Sequence, residues 1–481
     1  MSSLFASLGA SADALTAFSR SLDVIQNNVT NASTPGYARQ RLTLEAAAFD
    51  PLGGLSGGVE AGELQSSRNK YADQAVRQQL QDQGRADQKV SSLTALQSNF
   101  DISGKTGIPG ALSALFQNIS SWSVNPNDSS LRTSVVQSAR TLAQSFQSAA
   151  AQFDQASITT GKQIVDTVNQ INALGSQLRQ YNLERLGGDQ NQPDPGLDAK
   201  IHSTLEQLSQ LVNFDAVEQS DGTVTVLIGG QTPLVIGDKQ YTLQADLKTP
   251  PPGSPANSGL APPARILSSD GRDITAETSG GELAGLLEVR NQVLPQLTGD
   301  ANNPGDLNRL AKAVADRVNG LLTSGQVSAG PPAVAGSPLF AYDNSNSATT
   351  ARTLAVAGGF DPANLAAIDP GPPPVSNGIA LKLAALASPT DAADEIDGFS
   401  YTEFYGNMAR KVGSALAAAQ DDSDTQAQLV AQAKSLRDQA SGVSLDEEAV
   451  QLLEFQRAYQ ATSKMVSVLN ELTQTTVDML T

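Results

Sequence analysis

Apolar residues recur every seven positions at both ends of the chain. Near the front, Leu8, Leu15, Leu22 and Val29 share one heptad position, while Leu4, Phe18 and Ile25 share a second in which Ser11 is a polar gap. That spacing predicts an amphipathic helix over 3–29. Near the back, Leu445, Leu452, Tyr459, Val466 and Leu480 fill one position with Thr473 as the exception. Phe455 and Leu469 fill the other, with Thr462 and Thr476 between them, and Met465, Leu472 and Met479 widen the stripe. Ser444, with Glu447 three residues on, reads as a capping box at the start of this helix. Burying six or seven apolar side chains gives on the order of 10 kcal/mol gross, most of it offset by the entropy of fixing the chain. A lone helix pair is therefore marginal, and a third partner, with another subunit as one candidate, is expected. Periodicity alone leaves open whether the two helices simply close a domain on each other.

Between the ends, the pattern predicts long helices over 71–100 and 131–181. The face formed by Ile164, Val168, Ile171, Leu174 and Leu178 marks the second, and Asn125-Pro126-Asn127-Asp128 is a turn between the two. After a Gly/Asp/Pro-rich loop over 186–197, Leu197, Ile201, Leu205, Leu208 and Leu211 restore a helix. At Val212 the period changes to two. Val217, Val224, Val226 and Ile228 around Asp221-Gly222 predict a hairpin, and Leu234 to Ile236 with Tyr241 to Leu243 around Gly237-Asp238 predict another. A Pro/Gly/Ser-rich loop over 249–263 precedes a strand-like stretch over 265–274. Helix is expected again over 282–293 and 306–322, little regular structure over 325–374, and helix over 384–440 with an interruption near 421–424. The fold class is mainly α with a small β insert.

Composition narrows the function. The 481 residues exceed one ordinary core, so two to four units are expected. Only 5% are aromatic, with Trp122 the single tryptophan, which suits long, lightly packed helices. A net charge of −18 without a Lys/Arg cluster argues against nucleic acid as a partner. The absence of cysteine excludes disulfides and thiolate chemistry. No stretch approaches 18 continuous apolar residues, so no membrane insertion is expected. The segment 1–13 lacks a basic region ahead of a long apolar core, so no cleaved signal peptide is expected.

Candidate chemistry is sparse. His202, the only histidine, sits on the helix that presents Ile201 and Leu205, where a packed or solvated role outweighs a catalytic one. Zinc sites of the usual kinds are not available, and no catalytic, metal or cofactor-binding residue is expected. The run Gly53-Gly54-Leu55-Ser56-Gly57-Gly58 lacks the Lys-Ser/Thr ending of a phosphate loop and reads as a connector or hairpin turn. Asp446-Glu447-Glu448 could suggest acid–base or metal chemistry, but carboxylates in a helix's first turn are favoured by its positive end, by about 0.3–1 kcal/mol each.

The segments flanking the terminal helices are the most specific features. Asn27, Asn28, Asn31, Thr34, Pro35, Gly36 and Tyr37, followed by Arg39-Gln40, form a helix stop and turn. This string closely resembles the rod-type signature NN-x-x-N-x-x-T-P-G-Y of flagellar axial proteins. Leu445, Asp446, Glu447 and Glu448, with Phe455-Gln456-Arg457-Ala458-Tyr459-Gln460-Ala461, resemble the family's C-terminal signature. The Tyr37-x-Arg39-Gln40 ending is similar to that of hook-associated proteins of the FlgK family. That resemblance implies a nested multidomain axial protein. It would have a coiled-coil-like terminal domain (1–40 with 441–481), a mainly helical bundle domain (41–211 with 280–440, irregular over 325–380) and a β-rich insert (212–279). It further implies a structural, non-enzymatic subunit joining hook to filament, exported by the flagellar type III route to an extracellular position. Its partners would be further copies in a junction ring, hook subunits, a second junction protein and an export chaperone on the C-terminal helix. The seams expected to pack between subunits are Leu8, Leu15, Phe18, Leu22 and Ile25 with Leu452, Phe455, Tyr459, Val466 and Leu469. A hook or rod subunit is the alternative within the class, and a secreted peptidoglycan hydrolase the alternative outside it.

Overall fold

A computed structural model describes residues 2–48, 57–101, 104–188, 194–249 and 261–479. In chain order it opens with α1 (Ser2–Asn31), the strands β1 (Gln40–Ala46) and β2 (Val59–Ser66), α2 (Lys70–Gln97), α3 (Gly107–Val124), α4 (Ser129–Gly187) and α5 (Pro195–Leu211). Six strands follow: β3 (Phe214–Glu218), β4 (Val224–Ile228), β5 (Thr232–Ile236), β6 (Lys239–Gln240), β7 (Gln244–Asp246) and β8 (Arg265–Leu267). Then come α6 (Gly281–Glu288), a π-helical stretch (Val289–Val293), α7 (Leu294–Thr298) and α8 (Asp306–Ser324). Short elements β9 (Gln326–Ser328), β10 (Val334–Ala335), β11 (Phe340–Ala341), α9 (Thr350–Thr353) and β12 (Ala355–Val356) lead to α10 (Gly378–Ala385), α11 (Tyr401–Ser441) and α12 (Leu445–Asp478).

The described chain forms two compact units, 1–83 with 171–242 and 425–481, and 84–170 with 243–424. In the first, α1 packs against α12 and against the antiparallel β1–β2 hairpin. α5 starts on Asp194, whose carboxylate accepts from the Gly196 and Leu197 amides, with Pro195 in the first turn. A meander in the order β3-β4-β5-β6 follows it. Its first turn needs Gly222 at φ +77°, a conformation that side chains with a Cβ rarely adopt. Buried Asn182 of α4 extends the ladder: its side-chain carbonyl accepts from Val224 N and its amide donates to Val224 O, both at 2.9 Å.

The second unit holds the large core. Leu93 and Leu96 of α2, Leu112, Leu115, Ile119 and Trp122 of α3, and Leu142, Phe146 and Phe153 of α4 meet Leu310, Val314 and Val318 of α8. Phe404, Met408 and Val412 of α11 close it. Trp122, fully buried, satisfies its indole by donating to Pro126 O at 3.1 Å, within the Asn125–Asp128 turn.

Several expectations need correcting. The segment 104–124, for which no element was expected, contains α3, an apolar helix buried on much of its surface, where a helical stripe is hard to distinguish. The helix expected over 384–440 is two: α10 ends before Ser388-Pro389, whose proline disfavours helix in the preceding residue, and α11 begins at Tyr401. No interruption falls near Asp421–Asp424; aspartate and serine cost little on an exposed helix face. Tyr241–Leu243 form no strand, and of 265–274 only Arg265–Leu267 do. The 325–374 stretch carries two short antiparallel ladders, β9–β10 and β11–β12, with Leu339, Phe340, Leu354, Leu365 and Ala366 in the large core. Gly53–Ser56, Leu480 and much of the two expected loops over 186–197 and 249–263 lie outside the described residues.

Candidate functional site

The two flanking segments, distant in sequence, meet in one buried network. α1 ends on its asparagines. Thr34 N donates to Asn31 O at 2.9 Å and Tyr37 N to Thr34 O at 3.1 Å, which folds the chain back over the helix end. Gly36 is required at this turn: its φ is +76°, and a Cβ there would sit 2.3 Å from the Ala199 carbonyl oxygen of α5.

The turn delivers Tyr37 and Gln40 to Asn28, which is 1% exposed. The Asn28 carbonyl oxygen accepts from the Tyr37 hydroxyl and from Gln40 N, each at 2.9 Å. Its amide donates to Gln40 O at 2.9 Å and to Glu448 Oε2 at 3.0 Å. All four hydrogen-bonding positions of one side chain are thus filled. Glu448, at 0% exposure, is the buried residue of α12. Arg39 Nε lies 2.6 Å from Glu448 Oε1, a close charge contact without hydrogen-bond alignment, and Arg39 NH1 donates to exposed Glu447 at 2.7 Å. The Arg39 backbone donates to Ser441 O at 2.9 Å and accepts from Ser67 N at 2.8 Å. Ser444 caps α12 by accepting from Glu447 N. Burial, and secondarily the Glu448 carboxylate, push the Tyr37 phenol up to about 12.

Asp446-Glu447-Glu448 therefore divides. The first two carboxylates stay exposed, as a helix start favours, whereas Glu448 becomes a buried partner of residues on the opposite end of the chain. Nothing local in the sequence distinguishes it. Arg68 was also missed. It spans Asp73 and Asp198 at 3.1 and 2.8 Å and donates to Gly36 O at 2.6 Å, tying the turn to α2 and α5. His202 lies 3.6 Å from both of those aspartates. Burial first, then Arg68, Arg77, Arg185 and Lys70, hold it well below its ordinary range and uncharged near neutral pH.

Beyond this network α1 and α12 run side by side, with the rings of Phe18 and Phe455 6.1 Å apart at 46°. Ile25 is buried, while Leu8, Leu15, Phe18, Leu22, Leu452, Phe455, Val466 and Leu469 are half-buried. Tyr459 is exposed. The most buried line of α1 includes Ser11, Ala17 and Ser21. The two hydroxyls bond the Ser7 and Ala17 carbonyls of their own helix, which lets small polar residues sit there. On α12, Val450, Leu453, Met465, Val468 and Leu472 are all exposed. Their spacing places them on one stripe, roughly a third of a turn from the side facing α1.

The comparisons agree with this placement of the motifs. The family profile for the flagella basal body rod protein matches residues 8–37, and that for the flagellar basal body rod FlgEFG protein C-terminal matches 434–479. Ends of this kind define a flagellar axial protein. The profile for the flagellar hook-associated protein FlgK helical domain matches residues 93–340, just over half of the chain. The chain belongs to the FlgK family of hook-associated proteins, structural components of the flagellum. It is 25% identical to flagellar hook-associated protein 1 of Bacillus subtilis over 98% of this chain and 97% of that one. With the Salmonella typhimurium protein of the same name it shares 24% identity over 71% of this chain and 61% of that one. In fold it is similar to the flagellar hook junction protein FlgK from Burkholderia pseudomallei, at a TM-score of 0.62, 17% identity and coverage of 76% of this chain and 99% of that one. No helix among the described residues is long and apolar enough to cross a membrane.

Proposed function

We propose that the paired ends, 1–40 with 441–481, are the assembly element of a junction subunit, packing between neighbouring copies in a ring that joins hook to filament. One observation carries this reading: the signature residues of both ends converge on a buried network, Asn28 with Tyr37, Arg39, Gln40 and Glu448, while an apolar stripe of α12 stays uncovered. The network fixes the register of α1 against α12, the role for which buried polar groups are best attested. The stripe supplies apolar area to a neighbour. The half-buried seams Leu8, Leu15, Phe18 and Leu22, with Leu452, Phe455, Val466 and Leu469, and exposed Tyr459, are the residues this packing completes. Hook subunits on one side and a second junction protein on the other are the remaining axial partners.

Before assembly the same stripe is an aggregation hazard. An export chaperone that takes α12 by helix-in-groove binding answers it, on a type III route leading outside the cell. In a dilute monomer the distal turns of the C-terminal helix, beyond the Glu448 network, are then expected to exchange their amide hydrogens fast; full protection of both ends would sink this part of the proposal. The assembly role is tested by deleting 2–29 or 452–481 in cells. Filament attachment should be lost, with the core of the 84–170 and 243–424 unit still folded by circular dichroism. Filaments that hold after either deletion would overturn it.

A further inference from the structure

Below the turn, between α2, α4, α5 and the first strands of the meander, lies a cavity of about 110 Å³. That is well above the ~10–15 Å³ one water needs. Its mouth is formed by Lys70 and Glu218, which are exposed and paired at 2.6 Å. Its walls carry Arg77, Arg185, Asp73, Asp198 and His202. Both aspartates are engaged by Arg68 from one side, at 3.1 and 2.8 Å.

This leaves the cations short of partners. Arg185 comes no nearer to a carboxylate than 3.7 Å from Asp198, and its Nε is buried without a hydrogen bond. His202 Nδ1 is likewise buried and unbonded. Arg77 is drawn only at longer range to Asp73 and Glu206, and the nearest claim on Glu206 is its own ion pair with Arg437. Four cationic side chains (Arg68, Lys70, Arg77 and Arg185) face three carboxylates (Asp73, Asp198 and Glu218). Two guanidiniums, each a planar fork of donors suited to oxygen pairs, line a cavity whose carboxylates are already taken by Arg68 and Lys70 and give neither of them a hydrogen bond.

We infer that this cavity binds a small oxyanion, held between Arg77 and Arg185 with His202 beside it. A phosphate-sized or carboxylate-sized group supplies the acceptors that Arg77 and Arg185 are left without and returns the cluster to charge balance. The site is independent of the assembly reading, because none of its residues lies on α1 or α12.

The single histidine is a built-in reporter. The full chain, labelled with ¹⁵N in the histidine ring, is titrated with inorganic phosphate, and separately with acetate, at ionic strength held constant with sodium chloride. The expected result is a saturable shift of the His202 ring signals, with the midpoint moved tenfold or more in Arg77→Gln and in Arg185→Gln and unmoved in Arg41→Gln on the exposed β1 face. The tighter of the two anions identifies the source as a tetrahedral oxyanion or a carboxylate. Ala216→Asp, which places a carboxylate on the β3 wall, is expected to abolish the response and raise the thermal midpoint in phosphate-free buffer. It serves as the test if an arginine variant fails to fold. A response that chloride alone reproduces, or that all variants share, would overturn the proposal.

Discussion

Glu448 is a carboxylate with no exposed surface whose hydrogen-bond partner lies 420 residues away. Its replacement by alanine leaves Arg39 and the Asn28 amide partly stranded, and stranding half of a buried charge pair costs about 3–5 kcal/mol. Glu448→Ala is expected to lose an amount at the low end of that range, because Arg39 keeps Glu447. Glu448→Gln should lose less, since its carbonyl still accepts from Asn28. Amide exchange along α1 and α12 measures both. Tyr37 offers a second test at this scale. Its phenol stays protonated to about 12 in the folded chain, against an ordinary value near 10, so the folded state holds the proton that the unfolded state releases. The stability this contributes is present below pH 10 and is lost as pH rises from 10 to 12. Wild type should therefore lose more of its thermal midpoint across that window than Tyr37→Phe. The sequence made these residues visible as a motif, because the string Asn28 to Tyr37 is specific, but not as a network. The distinction between Glu448 and its neighbours Asp446 and Glu447 is created by tertiary burial, which no local spacing encodes.

At the scale of elements, the heptads located α1 and α12 and the change to period two at Val212 located the β3–β4 hairpin. What they did not supply was orientation. The line of α1 that is most buried contains Ser11 and Ser21, read from the pattern as gaps or ignored, because hydroxyls bonded back to their own helix can be buried at little cost. α3 escaped notice for the opposite reason, having too little polar contrast to show a period. Met465 and Leu472 follow from orientation: both are half exposed or more, away from α1. Met465→Lys with Leu472→Lys should leave monomer stability within about 0.5 kcal/mol, as surface changes do. Incorporation at the junction, seen by electron microscopy of cells, should be lost. Normal incorporation would remove the stripe from the assembly role.

For the molecule as a whole, a charge of −18 sets copies of the chain against one another before any apolar contact forms. Screening shortens the reach of that repulsion from roughly 30 Å at 0.01 M salt to about 8 Å at 0.15 M. Self-association, followed by sedimentation velocity, should therefore strengthen as salt rises across this range. Weakening with salt would mean that ion pairs, not apolar packing, hold copies together.

The amide of Asn28 also sets an order of events in time. A ribosome releases Asn28 420 residues before Glu448, so the early half of the network waits, its amide short of one acceptor, until residue 448 has been made. A product cut short before residue 448 cannot close it. The contact between α1 and α12 is in this sense a late event, closed only in chains translated through residue 448.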